Sequence, residues 1–539
     1  MGLFLRHSAS PKLTHGAGGG WGVLQYCRGR GRDRSDQIFL HNGRRRFRER
    51  VPARGPVEAA VWSMLFDTPI YFLFLLIAVL VYWRLQWRQQ NQFLLAASYL
   101  FYGWWDWRFL TLILISTLVD YQCARIIARS NNPTQRKLLL ALSVGLNLCF
   151  LGFFKYYDFF ASSLVDALGG IGVSASLPLL QWILPPGISF YTFQELAYIV
   201  DVYNRKLEPA ESLVDYALFI TLFPHLIAGP IQRPSHLLPQ VQQPRTFVPQ
   251  SVFDGLMLIA SGLFRKCVIA DNCALMADAA FSGKLGEPNL ALVLLGSYAF
   301  AWQIYGDFSG YSDIARGSAQ LMGFHFMVNF RQPYLATSLQ DFWRRWHISL
   351  STWLRDYLYI PIGGNRGGEL MTYRNLMTTM LLGGLWHGAN WTFVIWGGIH
   401  GLWLGVERLG RRVLGLAESP AERGLGLFSP VAWLQRIFLF HLVCLAWVFF
   451  RAQSFGEAMK FLQGVTRWNW QPEYVMGFKF LALFTVPLML LDLVLEMRDE
   501  EYALETMPVP YRLAAAMSLV MIVTFFAGNQ VNAFIYFQF

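Results

Sequence analysis

Residues 375–406 read NLMTTMLLGGLWHGANWTFVIWGGIHGLWLGV, a run of 32 residues without one Asp, Glu, Lys or Arg. A continuous helix of that length is about 48 Å long, against a hydrocarbon core of ~30 Å. The run therefore has to tilt strongly, break, or continue outside the bilayer. Its glycine pairs at 383–384 and 397–398, with Gly388 between them, predict a break near Gly383-Gly384 or at Gly388. Such a break leaves His387 on non-helical backbone, which membranes tolerate only where it is buried in protein or lines a cavity. An ionisable group at that depth is a functional candidate by default. His400 lies 13 residues further on, about 220° around a continuous helix. It is expected off the face of His387 and hydrogen-bonded within the bundle.

The rest of the chain has the same character. Of its 539 residues 54% are hydrophobic, 16% are aromatic and only 15% are charged, where a soluble protein is about a quarter charged. Apolar runs of membrane length recur from Thr68 to Tyr536, several of them short or broken by Gly and Pro. They predict an all-α polytopic membrane protein of about eleven crossings with two re-entrant pieces. Too few polar faces remain to clothe a large soluble core. Arg84, Arg88, Arg125, Arg129, Arg136 and Lys137 lie in the loops flanking an expected hairpin of 92–105 and 109–124. The positive-inside rule puts those loops in the cytoplasm and Trp104-Trp105-Asp106-Trp107 at the outer interface.

The net charge of +11 is uneven, because residues 1–63 hold twelve Lys and Arg against four Asp and Glu. Basic tails can touch nucleic acid or anionic lipid, but this one, rich in Gly and Arg, is expected to be disordered and without a nucleic-acid partner. Met64 opens MLFDTPIYFLFLL, which reads as a start, so the tail is attributed to an upstream start assignment. A single membrane domain is expected over 64–539. The six cysteines form no CxxC pair and no Cys/His cluster of zinc spacing, so no metal site is expected.

Polar residues concentrate just before the uncharged run, in PYLATSLQDFWRRWHISLSTWLRDYLYIPIGGNRGG, residues 333–368. Ser338 or Thr337 can cap a helix from Leu339, with Pro361 and Gly363-Gly364 ending it. On that helix Arg344, His347, Ser351 and Arg355 fall within an arc of roughly 80°, a basic stripe among aromatics suited to an interface or a wet cavity wall. Asp307 and Asp313 are spaced for separate arginine partners rather than for a carboxylate dyad, and Glu195 and Asp201 are read the same way. His225, beside Pro224, is read as structural.

These blocks resemble the membrane-bound O-acyltransferase family, in its alginate O-acetyltransferase branch. Besides the two segments above, the matching blocks are PPGISFYTFQELAYIVDVY at 185–203, LFPHLIAGPIQRP at 222–234 and YGDFSGYSDIARGSAQLMGF at 305–324. The blocks run in order, and the resemblance covers roughly Met64 to the C-terminus. The resemblance implies a funnel through the bilayer with His387, in LWHG, as the catalytic histidine at its constriction. His347, in RRWHIS, matches the second important polar position.

The chemistry implied is acetyl transfer from a thioester to a hydroxyl. His387 would serve as general base, and Asn390, Trp386 or His347 would polarise the carbonyl. No cofactor is expected to stay bound. Acetyl-CoA is the expected co-substrate, with Arg344, Arg345, Arg355 and Arg366 as candidates for its phosphates. The implied acceptor is an exported polysaccharide, reached through a separate periplasmic or membrane-anchored acetyltransferase partner, and the implied location is a bacterial inner membrane. Two alternatives are D-alanyl transfer to teichoic acid from a carrier protein and a transporter of acylated glycan. A transporter would show paired, repeated broken helices, and none are evident.

Overall fold

The computed structural model describes residues 64–227, 229–415, 426–502 and 504–527. The basic tail and the last residues of the final apolar run lie outside the described residues. All described residues fall in one compact unit, and among them there is helix but no strand. The helices that matter for the site run in chain order as α1 (Pro69–Tyr82), α2 (Trp87–Asp106), α3 (Leu110–Arg129), α4 (Pro133–Leu151) and α5 (Tyr157–Gly170). Next come α6 (Ile188–Tyr203), α7 (Leu213–Thr221), α8 (Pro249–Leu263), α9 (Asp271–Phe281) and α10 (Leu290–Gln320). The remainder are α11 (Leu339–Arg345), α12 (Ile348–Leu354), α13 (Glu369–His387), α14 (Trp391–Leu414), α15 (Pro430–Arg451), α16 (Pro472–Arg498) and α17 (Val509–Phe526).

Local sequence sets many of the starts. Asn132, Ser212, Asn289, Ser338 and Asn390 each accept a hydrogen bond from a backbone N–H of the first turn that follows, which satisfies a donor the helix itself cannot. Among the described residues five stretches are long and apolar enough to cross a membrane: Trp87–Arg129, Pro133–Gly170, Pro430–Arg451, Pro472–Arg498 and Val509–Phe526. The first is interrupted at Asp106, whose backbone is extended (φ −158°, ψ 109°), as the expected hairpin requires. Leu483, Val486 and Leu490 on α16 and Met517, Val520 and Phe525 on α17 are exposed and form the apolar surface that lipid covers.

The 31-residue α10 is the central strut and is buried along nearly its whole length. It carries charges that its neighbours neutralise. Lys266 Nζ lies 2.8 Å from Asp271 and 3.0 Å from Asp307. Arg265 lies 3.8 Å from Asp313 and 3.8 Å from Asp492, and Arg316 pairs with Asp313 and Glu501. Asp313 thus meets arginines, as the spacing suggested, whereas Asp307 is paired with Lys266. Glu195 and Asp201 meet hydroxyls instead: Glu195 accepts from Ser116 Oγ at 2.6 Å and Asp201 from the Tyr357 hydroxyl at 2.7 Å. His225 is buried, with Nδ1 3.3 Å from the Gln194 amide.

The expected helix from Leu339 to Pro361 starts where Ser338 caps it but does not continue. It stops at Arg345, and His347 adopts a left-handed backbone (φ 43°, ψ 53°) before α12 resumes at Ile348. The cause is distant in sequence. The Asn329 carbonyl accepts from the Ile348 N–H at 2.9 Å, and the Asn329 side chain accepts from Ser349 Oγ at 2.9 Å. The break destroys the predicted stripe. His347 turns inward and is fully buried, while Arg355 opens a π-helical turn with its side chain 60% exposed.

Candidate active site

Helix α13 ends at His387 because Gly388 takes up extended backbone there (φ −162°, ψ 149°), and Asn390 then caps α14 through the Thr392 N–H at 3.0 Å. Of the two breaks the glycines allowed, the chain uses Gly388. A Cβ there would stand 2.2 Å from the Phe393 ring, so no larger residue fits. The pairs at 383–384 and 397–398 instead bring α13 and α14 together. A Cβ on Gly384 would lie 2.2 Å from the Phe393 carbonyl oxygen, and one on Gly397 would lie 2.2 Å from that of Met380. Small residues at such crossings let helix backbones touch, the usual basis of packing in lipid.

That hairpin sets three histidines into one row of rings. His347 lies 6.0 Å from Trp386 between centroids, and Trp386 lies 5.0 Å from His387. His387 lies 5.0 Å from Trp396, which lies 4.7 Å from His400. All three imidazoles are buried. The break at Gly388 is what returns His400 to the neighbourhood of His387, from which a continuous helix would have separated it. Neither nitrogen of His400 has a hydrogen-bond partner among the described residues, so the hydrogen-bonded role expected of it gives way to ring packing against Trp343 and Trp396. Both nitrogens of His347 also lack partners. Its left-handed backbone costs roughly 1–2 kcal/mol.

A cavity of about 220 Å³ reaches His387 and is walled by Trp105, Lys155, Ser189, Phe190 and Trp386. Lys155, which the sequence alone did not single out, is the main addition. It sits on a π-helical turn, Gly152–Tyr156, a form that recurs at functional sites. Its ammonium donates to the Trp386 carbonyl at 2.6 Å and to Ser189 Oγ at 3.1 Å, with the His387 carbonyl at 3.4 Å. A cation there satisfies carbonyls that the end of α13 leaves open and complements the negative end of its dipole. The one cation in FFKYYDFF, set among aromatic residues, was the available signal.

The other expected site residues divide. Trp386 presents a buried indole N–H with no partner among the described residues, so it remains a candidate donor to a carbonyl. Asn390 does not, because its oxygen caps α14 and its nitrogen donates to the Gln453 carbonyl at 3.0 Å. Arg345 is a brace: it holds Asp341 at 2.9 Å and Glu496 through two bonds of 2.7 and 3.0 Å. Arg355 pairs with Asp356 at 2.8 Å. Arg344 and Arg366 are exposed, and neither lines the cavity at His387.

A second cavity, of about 510 Å³, opens between the far ends of α13 and α14, lined by Gln340, Tyr359, Glu369, Glu407, Arg408 and Arg411. It is separated from His387 by the 19 residues of α13, or about 27 Å of helix. Arg136 and Lys137, which the structure places in the first turn of α4 rather than in a loop, are likewise at the opposite end of that helix from Lys155. The basic helix ends therefore collect on one side, and the His387 cavity opens beside the Trp104–Trp107 aromatic run on the other.

Residues 209–450 match the model of the membrane-bound O-acyltransferase family. The chain is 45% identical over 401 residues to a probable alginate O-acetylase of Pseudomonas putida, covering 74% of this chain and 79% of that protein. It is 38% identical over 443 residues to a peptidoglycan O-acetyltransferase of Helicobacter pylori, covering 76% and 81%. A teichoic acid D-alanyltransferase of Streptococcus thermophilus is 27% identical over 276 residues, covering 45% of this chain and 64% of that one.

Proposed function

The chain belongs to the membrane-bound O-acyltransferase family, and from that premise we propose that this integral membrane O-acyltransferase carries acetyl groups from a cytoplasmic thioester to an exported glycan. The relatives that match most of its length are named for O-acetylation of alginate and of peptidoglycan. Both acceptors are glycans outside the cytoplasm, so a glycan hydroxyl is the substrate class, and the bacterial inner membrane is the place. D-alanyl transfer is disfavoured by the shorter and weaker match to that relative.

The observation that carries the reading is the position of His387: at a helix break, buried, and on the wall of a cavity. Its imidazole takes the proton from the acceptor hydroxyl as the oxygen attacks the thioester carbonyl. The Trp386 N–H is the candidate donor to the oxyanion. When the carbon–sulfur bond breaks, the imidazolium returns the proton to the departing thiolate, so the protein ends the cycle unchanged. Lys155 acts as a positioning residue, fixing the end of α13 on which His387 stands. Acetyl-CoA is the proposed donor, entering from the side of the basic helix ends. A separate acetyltransferase chain on the outer side is the proposed partner in delivery to the polymer.

The test uses proteoliposomes with labelled acetyl-CoA supplied to one side and a soluble glycan acceptor to the other. Label should reach acceptor only across the bilayer, and only when the donor meets the face bearing Arg136 and Arg408. Labelling of acceptor supplied on the donor's own side, with none across the bilayer, would overturn the transmembrane reading.

A further inference from the structure

We propose that Asp120 and Glu195 form a buried site for one small monovalent cation, a sodium ion or a proton, between α3, α4 and α6. Both carboxylates are fully buried, at 0% exposure. Asp120 accepts from Ser143 Oγ at 2.5 Å and from Asn147 Nδ2 at 2.8 Å, and Glu195 accepts from Ser116 Oγ. Ser116 and Asp120 are four apart on α3, so the two carboxylates sit about one helical turn apart.

The surroundings are mostly hydroxyl and amide groups, with one thiol. The groups facing the pair are Cys123 on α3, Ser143 and Asn147 on α4, Tyr191 and Tyr198 on α6, and Tyr216 on α7. None is basic, and neither carboxylate takes part in a salt bridge with any described Lys, Arg or His, in contrast to every buried acid on α10. Six buried oxygens around the pair have no hydrogen-bond partner among the described residues: Glu195 Oε2, Asn147 Oδ1, Thr117 Oγ1, Thr192 Oγ1 and the Tyr191 and Tyr216 hydroxyls. The Asn147 oxygen belongs to the amide whose nitrogen touches Asp120, and Thr117 and Thr192 lie one turn before Asp120 and Glu195 on the same helix faces. Two uncompensated carboxylates are costly inside a bilayer protein. The surplus of oxygens is what a desolvated cation needs in place of water.

The site bears on the catalytic region through shared elements. Asn147 and Lys155 stand on α4 and the π-helical turn that continues it, and Glu195 and Ser189 stand on α6. A cation that ties α4 to α6 also fixes Lys155 relative to Ser189, which holds its ammonium beside the end of α13.

The experiment is thermal unfolding of the full chain in detergent, in sodium chloride against N-methyl-glucamine chloride at equal ionic strength, repeated over a pH series. Wild type should gain in midpoint with each tenfold step in sodium if the ion is sodium, or as pH falls if it is a proton. The Asp120→Asn, Glu195→Gln double variant should lose that dependence. If the variant does not fold, tracer-sodium binding and the infrared band of a protonated carboxyl are read on wild type instead. A midpoint indifferent to sodium, with a pH response that the variant shares, overturns the proposal. So does the absence of both sodium binding and a protonated carboxyl. Acetyl transfer is not the readout, so failure here leaves the assignment of His387 untouched.

Discussion

Replacing Lys155 by Met keeps the length and the apolar stem of the side chain and removes only its charged end. The ammonium makes two short hydrogen bonds, to the Trp386 carbonyl and to Ser189, and a longer approach to the His387 carbonyl. Hydrogen bonds with a charged partner contribute about 1.5–3 kcal/mol each, and a buried carbonyl left unsatisfied costs ~1–3 kcal/mol. Because the donor faces a cavity that water can enter, the lower end applies, and about 3 kcal/mol of stability should be lost. The functional effect follows from position: a displacement of one ångström in a catalytic group costs on the order of a hundredfold in rate. Thermal unfolding in detergent and acetyl transfer in membranes at matched protein level are the two assays. Both should fall, the rate by ten- to a hundredfold. A variant with wild-type rate and unfolding midpoint would refute the claim that Lys155 holds the end of α13.

Three further outcomes follow from the same geometry. Gly384→Val should prevent folding, because its Cβ would stand 2.2 Å from the Phe393 carbonyl and overpacking of this kind costs about 1–3 kcal/mol or more; size-exclusion profiles in detergent check it. His347→Asn keeps a residue that accepts the left-handed backbone but removes the ring, so acetyl transfer should drop at least tenfold with the unfolding midpoint unchanged. Arg345→Ala should lower the midpoint and leave KM for the donor unchanged, since Arg345 braces Asp341 and Glu496; a raised KM with full stability would restore it as a phosphate ligand.

What was legible in the sequence was what local rules govern. The cap at Ser338 and the break at Gly388 can be read from a few neighbouring residues, and the break places His387 at the end of a helix. The uncharged run and the aromatic content likewise set the membrane class. The inward turn of His347 was hidden because Asn329, nearly twenty residues upstream, pulls Ile348 and Ser349 away from the preceding helix. Continuous periodicity therefore assigned His347 to a basic stripe that does not exist. Lys155 was hidden for the same reason on a larger scale, since the two carbonyls it approaches, of Trp386 and His387, lie more than 230 residues away. The lone positions of Glu195 and Asp201 suggested arginine partners, and only packing reveals that hydroxyl groups meet them instead.

The central claim is that His387 is the base for acyl transfer. Its most direct measurement is the O-acetyl content of exported glycan in cells that lack the native gene and carry either wild type or His387→Ala at equal membrane abundance. Wild type should restore acetylation and the variant should leave it at background. Acetylation by the variant at the wild-type level would contradict the account.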